Sequence, residues 1–308
     1  MRAPTRDDLP AIAEIVRACD LVDFGDVDIA AEWLQEDWRR PRFDPATDAW
    51  VLTAPGGQIV AAAQTWDEEP ATIFDSVGWV LPRHRGRGLG TALARAVEVR
   101  AARDAPGLPS GSAPRVHQVF DAENAGARAL FEGLGYAPVR EFHHMQIDLE
   151  PGLGPGSPPP GIEVRPRAER DDPSIFTVMD EGFREHWGFQ PEPYERWQEQ
   201  WRGSATYDPT LWLVATEGGE VVGAALCDVV DGRGWVGDLA VRDAWRRRGI
   251  GEALLRAAFA RLADRGIATV MLNVDRDNRT GATRLYERAG MRVRRRWTIV
   301  ARTLTGSA

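Results

Sequence analysis

The chain has 308 residues, 43% of them hydrophobic and 27% charged, with a formal net charge of −8. That length exceeds the ~100–200 residues of a usual domain, so two domains are expected. The acidic balance disfavours a general nucleic-acid binder, and no apolar run approaches the ~20 residues of a membrane-spanning helix.

The first half opens on "RAPTRDDLPAI" from Arg2, followed by an acidic stretch, "LVDFGDVDIAAEWLQEDW". A hairpin comes next, "AWVLTA" and "IVAAAQTW" flanking "PGGQ",. An apolar strand, "IFDSVGWV", ends at Val80 and leads into "RHRGRGLGTAL". Beyond that loop Leu89, Ala92, Leu93, Ala96 and Val97 fall at helical spacing,. A strand ("RVHQVF"), an Asn-led helix ending in Gly ("NAGARALFEGLG") and a long strand ("YAPVREFHHMQIDL") complete the half.

The segment 151–161, "PGLGPGSPPPG", is nearly all Pro, Gly and Ser and reads as a semi-extended linker,. The same order then repeats. "VRPRAERDDPSIF" is followed by a hairpin around "GG" and by "GWVGDLAV", which ends at Val241. After "WRRRGIGEALL" comes a helix carrying Ile250, Ala253, Leu254, Ala257, Ala258 and Leu262, with Gly266 at its C-cap,. "ATVMLNV", "NRTGATRLYERAG" and "MRVRRRWTIVARTL" close the half. Arg85 and Arg246, five residues past the two valines, lie 161 positions apart, a period that means a duplicated domain,. The expected organisation is a domain over 1–150, a linker over 151–161 and a domain over 162–308. Each domain reads as α+β, a mixed sheet with helices on its faces.

Both halves share Arg-x-x-Gly-x-Gly between a strand and a helix: Arg85, Gly88, Gly90 and Arg246, Gly249, Gly251. The first N–H groups of a helix have no internal partner, and the helix dipole adds positive charge there. Glycine lets a bulky anion approach, and arginine adds full charge, so the pattern suits a pyrophosphate. No Gly-Lys-Ser/Thr ending makes a Walker loop, and the hairpins argue against repeated βαβ units.

This loop, followed by Asn and a Leu-Tyr-x-x-x-Gly helix, resembles the GCN5-related N-acetyltransferase (GNAT) family. The match runs through "LAVRDAWRRRGIGEALL" and "NVDRDNRTGATRLYERAGM", and through "WVLPRHRGRGLGTALA" and "DAENAGARALFEGLGY". It covers almost the whole chain as two copies, like tandem members of the mycothiol synthase type. The resemblance implies a mostly antiparallel twisted sheet in each half, acetyl-CoA as donor and a primary amine as acceptor.

It also implies roles. Arg246, Arg247, Arg248, Gly249, Ile250, Gly251 and Glu252 would hold the pyrophosphate, with Leu239, Ala240 and Val241 pairing with the pantetheine arm and Asn278 beside it. In the first half the cofactor residues would be Val80, Arg85, Gly86, Arg87, Gly88, Leu89, Gly90, Thr91 and Asn124. The Leu239 N–H would face the thioester oxygen. Tyr286 would donate a proton to the leaving thiolate. Its counterpart is Phe131, which cannot donate, so catalysis is expected in the second half and cofactor holding in the first. Relatives carry a Glu base where this chain has Trp235, so Asp238 is the substitute. The acceptor site is expected around "GFREHWGFQPEPYERW", with Glu185, His186 and Trp187, together with Trp235.

Three readings stay open: an acetyltransferase for a small amine, one for a peptide or protein N-terminus or lysine, and a non-enzymatic acyl-CoA-binding protein. No metal site is expected: Cys19 and Cys227 lack ligand spacing, and His143 and His144 point to opposite faces of a strand. "RRRW" at 294–297 reads as strand-surface charge, with holding a coenzyme A phosphate as the alternative, and the acidic stretch 21–38 as a solvated helix face, with a second site for a cation as the alternative. The start of the sequence shows no apolar leader, which suggests a reduced, cytoplasmic protein. A monomer is compatible with tandem halves.

Overall fold

The computed structural model describes residues 1–27, 34, 37–40, 42–67, 72–104, 108, 112–150 and 152–304. It divides into two compact units, Met1–Phe142 with Arg295–Ala308, and His143–Arg294.

In unit 1, α1 (Leu9–Asp23) and the short α2 (Pro45–Asp48) precede β1 (Ala49–Thr53), β2 (Ile59–Asp67) and β3 (Ile73–Val80). Helix α3 (Leu89–Asp104), β4 (Arg115–Asp121), α4 (Ala125–Gly133) and β5 (Ala137–Asp148) follow. The strand order is β1-β2-β3-β4-β11, where β11 (Arg292–Thr303) is the last strand of the chain. Only β3 and β4 run parallel; β11 pairs antiparallel with β4 from Trp297–Asp121 to Thr303–Arg115. Ile12, Ile15 and Val16 of α1 pack with Val51, Val60 and Ala62 on one face. Ala94, Val97 and Ala101 of α3 pack with Phe74, Val116 and Phe120 on the other.

Unit 2 contains β6 (Ile162–Pro166), α5 (Asp172–Phe183), α6 (Tyr194–Gly203), β7 (Leu213–Glu217), β8 (Glu220–Val230) and β9 (Arg233–Val241). Then come α7 (Ile250–Ala263), β10 (Thr269–Asp275) and α8 (Ala282–Arg288). Its strand order is β5-β10-β9-β8-β7-β6, with β9 and β10 parallel and the β6–β9 neighbours antiparallel. Side chains alternate across a strand, and β7 shows the consequence. Leu213 and Ala215 face Leu254, Ala258 and Leu262 of α7. Val214 faces Ile175 and Val178 of α5 and Trp197 of α6. The expected architecture, a mixed and mostly antiparallel sheet with helices on both faces, is therefore present.

The units are not the linear halves. Residues 143–148 of β5 belong to unit 2, where Met145 joins the core, and residues from Arg295 onward belong to unit 1. A strand's alternation specifies its two faces but not its partner, so an exchange of final strands leaves no mark in the pattern. Residues 152–161 are also not a bare tether: Leu153 packs against the unit 2 core, and a Cβ on Gly249 would sit 3.4 Å from Pro159 Cγ.

The end of α5 approaches β9 so closely that a Cβ on Gly182 would lie 2.6 Å from Ala240 Cβ. Gly182→Ala is expected to push α5 off β9 and cost about 1–3 kcal/mol. Denaturant unfolding checks this; an unchanged midpoint would contradict the packing.

Candidate active site

In unit 2 the β9–β10 ladder has only two pairs, Gly234–Val270 and Trp235–Met271. Beyond Trp235 the strands part, and one edge of residues 236–241 is left open. On the other side β9 pairs with β8, but the register shifts: Asp238 faces Leu226 while Val236 faces Cys227. Gly237 is the extra residue of this β-bulge, a device that re-aims neighbouring groups. Leu239, two residues on, packs partly into the core.

After Val241 the loop enters α7. Ala253 is the first residue to bond back, its N–H to Gly249 O at 3.0 Å, so the amides of Ile250, Gly251 and Glu252 emerge at the helix N-terminus,. A Cβ on Gly251 would lie 3.0 Å from Leu285 Cδ1, so a side chain there would press on α8. Arg247 holds a left-handed φ of 60° that unit 1 assigns to Gly86, φ 73°. For a residue with a Cβ that conformation costs about 1–2 kcal/mol, and it is exposed. The other arginines have internal work. Arg246 donates to Val241 O at 3.1 Å and pairs with Asp243 at 2.8 Å. Arg248 pairs with Glu217 at 2.5 Å, and Glu217 also accepts from Trp245 Nε1 at 2.7 Å. Glu252 pairs with Arg256 at 3.0 Å.

Tyr286 on α8 is 8% exposed. Burial, and then the Asp238 carboxylate, raise its hydroxyl pKa, so the phenol keeps its proton at neutral pH,. Asp238 is itself raised to about 6, first by burial and then by the charge of Asp228. Asp228 is raised to about 6 by burial; its Oδ2 accepts from Thr206 Oγ1 at 2.9 Å, while Oδ1 is buried without a partner. Asp228 and Thr206 were not anticipated. A lone Asp inside the apolar run "GAALCDVV" was the available signal.

The expected acceptor residues lie in unit 2 and differ in surroundings. His186 lies 3.3 Å from the Asn278 amide and 4.4 Å, ring to ring, from Phe183; burial lowers its pKa. Glu185 is exposed, while Trp187 is half-buried. Trp235 lies 5.6 Å from the His144 ring, whose Nδ1 is 3.0 Å from Asn273 Oδ1. Asn278 does not begin a helix, as the sequence suggested. The intervening "RTG" delays α8 until after Gly281, and the Asn278 carboxamide oxygen instead accepts from the Thr280 N–H at 2.9 Å.

Unit 1 presents the same frame with different chemistry. Its β3–β4 pairing ends at Ser76–Gln118, leaving the edge of Val77–Val80 open. The β2–β3 register is unbroken from Ala61–Val80 to Asp67–Phe74, so there is no bulge, and Val77 stands where unit 2 has Asp238. Ala92 N–H bonds to Gly88 O at 3.0 Å, leaving the amides of Leu89, Gly90 and Thr91 outward. Arg87 reaches Arg83 O at 3.3 Å. Arg85 is gripped by Asp23 at 2.6 and 2.8 Å, and Asn124 caps α4 through Ala127 N–H at 2.9 Å. A cavity of about 560 Å³ opens here, lined by Val80, Gly88, Leu93, Gln118, Asn124 and Phe131 among others, with Trp297 of β11.

Two expectations are corrected. Arg295 is not surface charge: its side chain is 2% exposed and reaches Asp20 at 3.4 Å and Asp26 at 2.8 Å. Nor is the acidic stretch only a wet face, because Asp23 and Asp26 hold buried or half-buried arginines and Asp37 accepts from Gln64 at 2.7 Å; Asp28, Glu32 and Glu36 fall outside the described residues. Both cysteines are free and buried, and no metal-binding cluster occurs among the described residues. No helix among them is long and apolar enough to cross a membrane.

The acetyltransferase (GNAT) family model matches residues 9–136 and 173–291. The mycothiol acetyltransferase of Saccharopolyspora erythraea is 30% identical over 254 residues, 79% of this chain and 82% of that protein. That of Streptomyces avermitilis is 29% identical over 244 residues, 78% of this chain and 75% of its own length. Among solved structures, a GCN5-related N-acetyltransferase from Sphaerobacter thermophilus aligns with a TM-score of 0.88 and 34% identity, covering 100% of this chain and 96% of that one. A tandem GNAT protein from the clavulanic acid biosynthesis pathway aligns with a TM-score of 0.74 at 16% identity, over 100% and 98% of the two chains, and shares the fold.

Proposed function

Because the chain belongs to the GNAT family of acetyl-CoA-dependent acetyltransferases, we propose that it acetylates a primary amine of a small molecule and that the second half performs the transfer. When bound, acetyl-CoA supplies the activated acetyl thioester. The outward amides of Ile250, Gly251 and Glu252 hold its pyrophosphate, and the open edge of Leu239–Val241 pairs with the pantetheine arm. Both features suit that ligand. Asp238 takes a proton from the acceptor ammonium, leaving the neutral amine as nucleophile, and the Leu239 N–H stabilises charge on the carbonyl oxygen. Tyr286 gives its proton to the departing sulfur and recovers one from the newly acylated nitrogen, so the two protons the ammonium loses end on Asp238 and, through Tyr286, on the thiol. The observation that carries this reading is the bulge at Gly237, present in β9 and absent from β3, which stands beside the acid–base pair found only in that half. The relatives named mycothiol acetyltransferases support a small-molecule acceptor.

The first half, on this reading, holds a coenzyme A ester without turnover. Its cavity, outward amides and Phe131 support that role.

Asp238 works only unprotonated. With its pKa raised to about 6, kcat/KM is expected to rise with pH and level off above about 7. Asp238→Asn is expected to lose this limb and about 10²-fold in kcat. A pH–rate profile of both proteins checks it; an unchanged limb in the variant would remove Asp238 from the reaction.

A further inference from the structure

Unit 2 carries a second carboxylate beside its base. Asp228 of β8 faces Trp235, and Leu226, two residues earlier, faces Asp238. Residues two apart in a strand share a face, so both carboxylates rise from one side of the β8–β9 pair. They are diagonal neighbours, a separation of ~7–8 Å. That side packs against α5 and α6, where Leu226 and Ala240 meet Ile175, Val178, Met179 and Trp197. Thr206 donates to Asp228 Oδ2 at 2.9 Å, and Oδ1 is buried without a partner. Asp171, Asp172 and Asp208 each hold an arginine at 2.6 Å. Among the described residues no such cation meets Asp228 or Asp238, and both are raised to about 6.

Unit 1 has neither carboxylate. From the Ala61–Val80 and Gly223–Val241 pairs inward, the two ladders match rung for rung apart from the bulge. Trp66 with Asp75 therefore takes the place of Asp228 with Trp235, and Val77 that of Asp238. The Trp66 ring lies under the Arg40 guanidinium at 5.1 Å. The two carboxylates, the bulge and Tyr286 thus occur together in one unit.

We propose that Asp228 is a positioning residue for the transfer: its negative charge keeps Asp238 a strong enough base to take the proton from the acceptor ammonium. This rests on the reading that Asp238 is that base. Two carboxylates on one buried face hold their protons more tightly than either would alone. Burial raises Asp238 most, and the Asp228 charge adds to it. The other groups around Asp238 do not replace that charge. Cys227 of β8 and Tyr286 of α8 are raised too, first by burial, and keep their protons at neutral pH. Helices α5 and α6 meet this face through Ile175, Val178, Met179 and Trp197, which do not titrate, with the Tyr194 and Tyr207 rings at the margin. From β5, His144 lies against Trp235 and Asn273, and Asp275 of β10 acts on His186. Removing the Asp228 charge favours the ionised form of Asp238, so its midpoint falls.

The test is NMR titration of the Asp238 side-chain carboxyl carbon in the full chain, its signal identified by loss in Asp238→Asn. Asp228→Asn keeps the shape and can still accept from Thr206. In that variant the Asp238 midpoint is expected to fall by about 0.5–1.5 pH units, the effect of one charge at that separation. The acid limb of kcat/KM, read as coenzyme A release from acetyl-CoA and a small primary amine, is expected to move down with it. The plateau is expected to fall only about 2- to 5-fold, because a weaker base takes a proton less readily. An unchanged midpoint, or a lower plateau with an unmoved limb, would overturn the inference while leaving Asp238 as the base. A limb that survives Asp238→Asn would overturn the reading, and this inference with it. The unmodified protein decides the matter even if the variant folds poorly. Its Asp238 signal is expected to titrate over a broader range than a lone group, and a single-site curve would overturn the coupling.

Discussion

Tyr286→Phe is expected to lower kcat by about 10²- to 10³-fold with KM for acetyl-CoA nearly unchanged, the usual size of a general-acid contribution. The ring is in the core, so the substitution keeps its packing and removes one hydroxyl. The phenol is held protonated by burial and by Asp238, which is the state a proton donor needs. Phe131 supplies the comparison. Its ring packs on Phe120 at 5.4 Å and Tyr136 at 5.5 Å, so the same wedge works without a hydroxyl. Phe131→Tyr alone is expected to add no activity, since unit 1 has Val77 where unit 2 has Asp238 and β3 has no bulge. Steady-state kinetics of the three proteins check this; full activity in Tyr286→Phe would contradict the assignment.

Arg295→Leu is expected to destabilise unit 1 by about 3–5 kcal/mol, because it removes the cation from a buried ion pair and leaves the carboxylate behind. Asp20 is 4% exposed in its side chain and Arg295 2%. The guanidinium also accepts cover from the Phe24 ring, 3.9 Å away, and donates to Asp26 O at 3.0 Å. These contacts hold α1 against β11, whose Trp297 lies 5.5 Å from Phe24 and lines the cavity. Hydrogen exchange in denaturant reads the effect on β3 and β4; protection equal to that of the unmodified protein would show that the pair carries no net stability.

Much of this was readable from the chain. The glycine loops, the helices after them and the Phe131–Tyr286 difference follow from residue type and spacing, because local backbone needs and side-chain chemistry are written locally. The bulge at Gly237 was not readable: one extra residue shows only against a partner strand, and "WVGDLAV" does not reveal its register with β8. Arg295 was misread for a related reason. Three consecutive arginines suggest solvent, but alternation along β11 turns the middle one inward, where Asp20 and Asp26 wait from a distant segment. Asp228 reads as an ordinary strand polar, and only its burial shows that one of its oxygens is left without a partner.

The central claim, acetyl transfer to a small amine, is tested most directly by following coenzyme A thiol release from acetyl-CoA against small primary amines and peptides. Release well above hydrolysis with one or more small amines, and not with peptides, is the predicted result. Release with peptides alone, or none above hydrolysis with any amine, would contradict it.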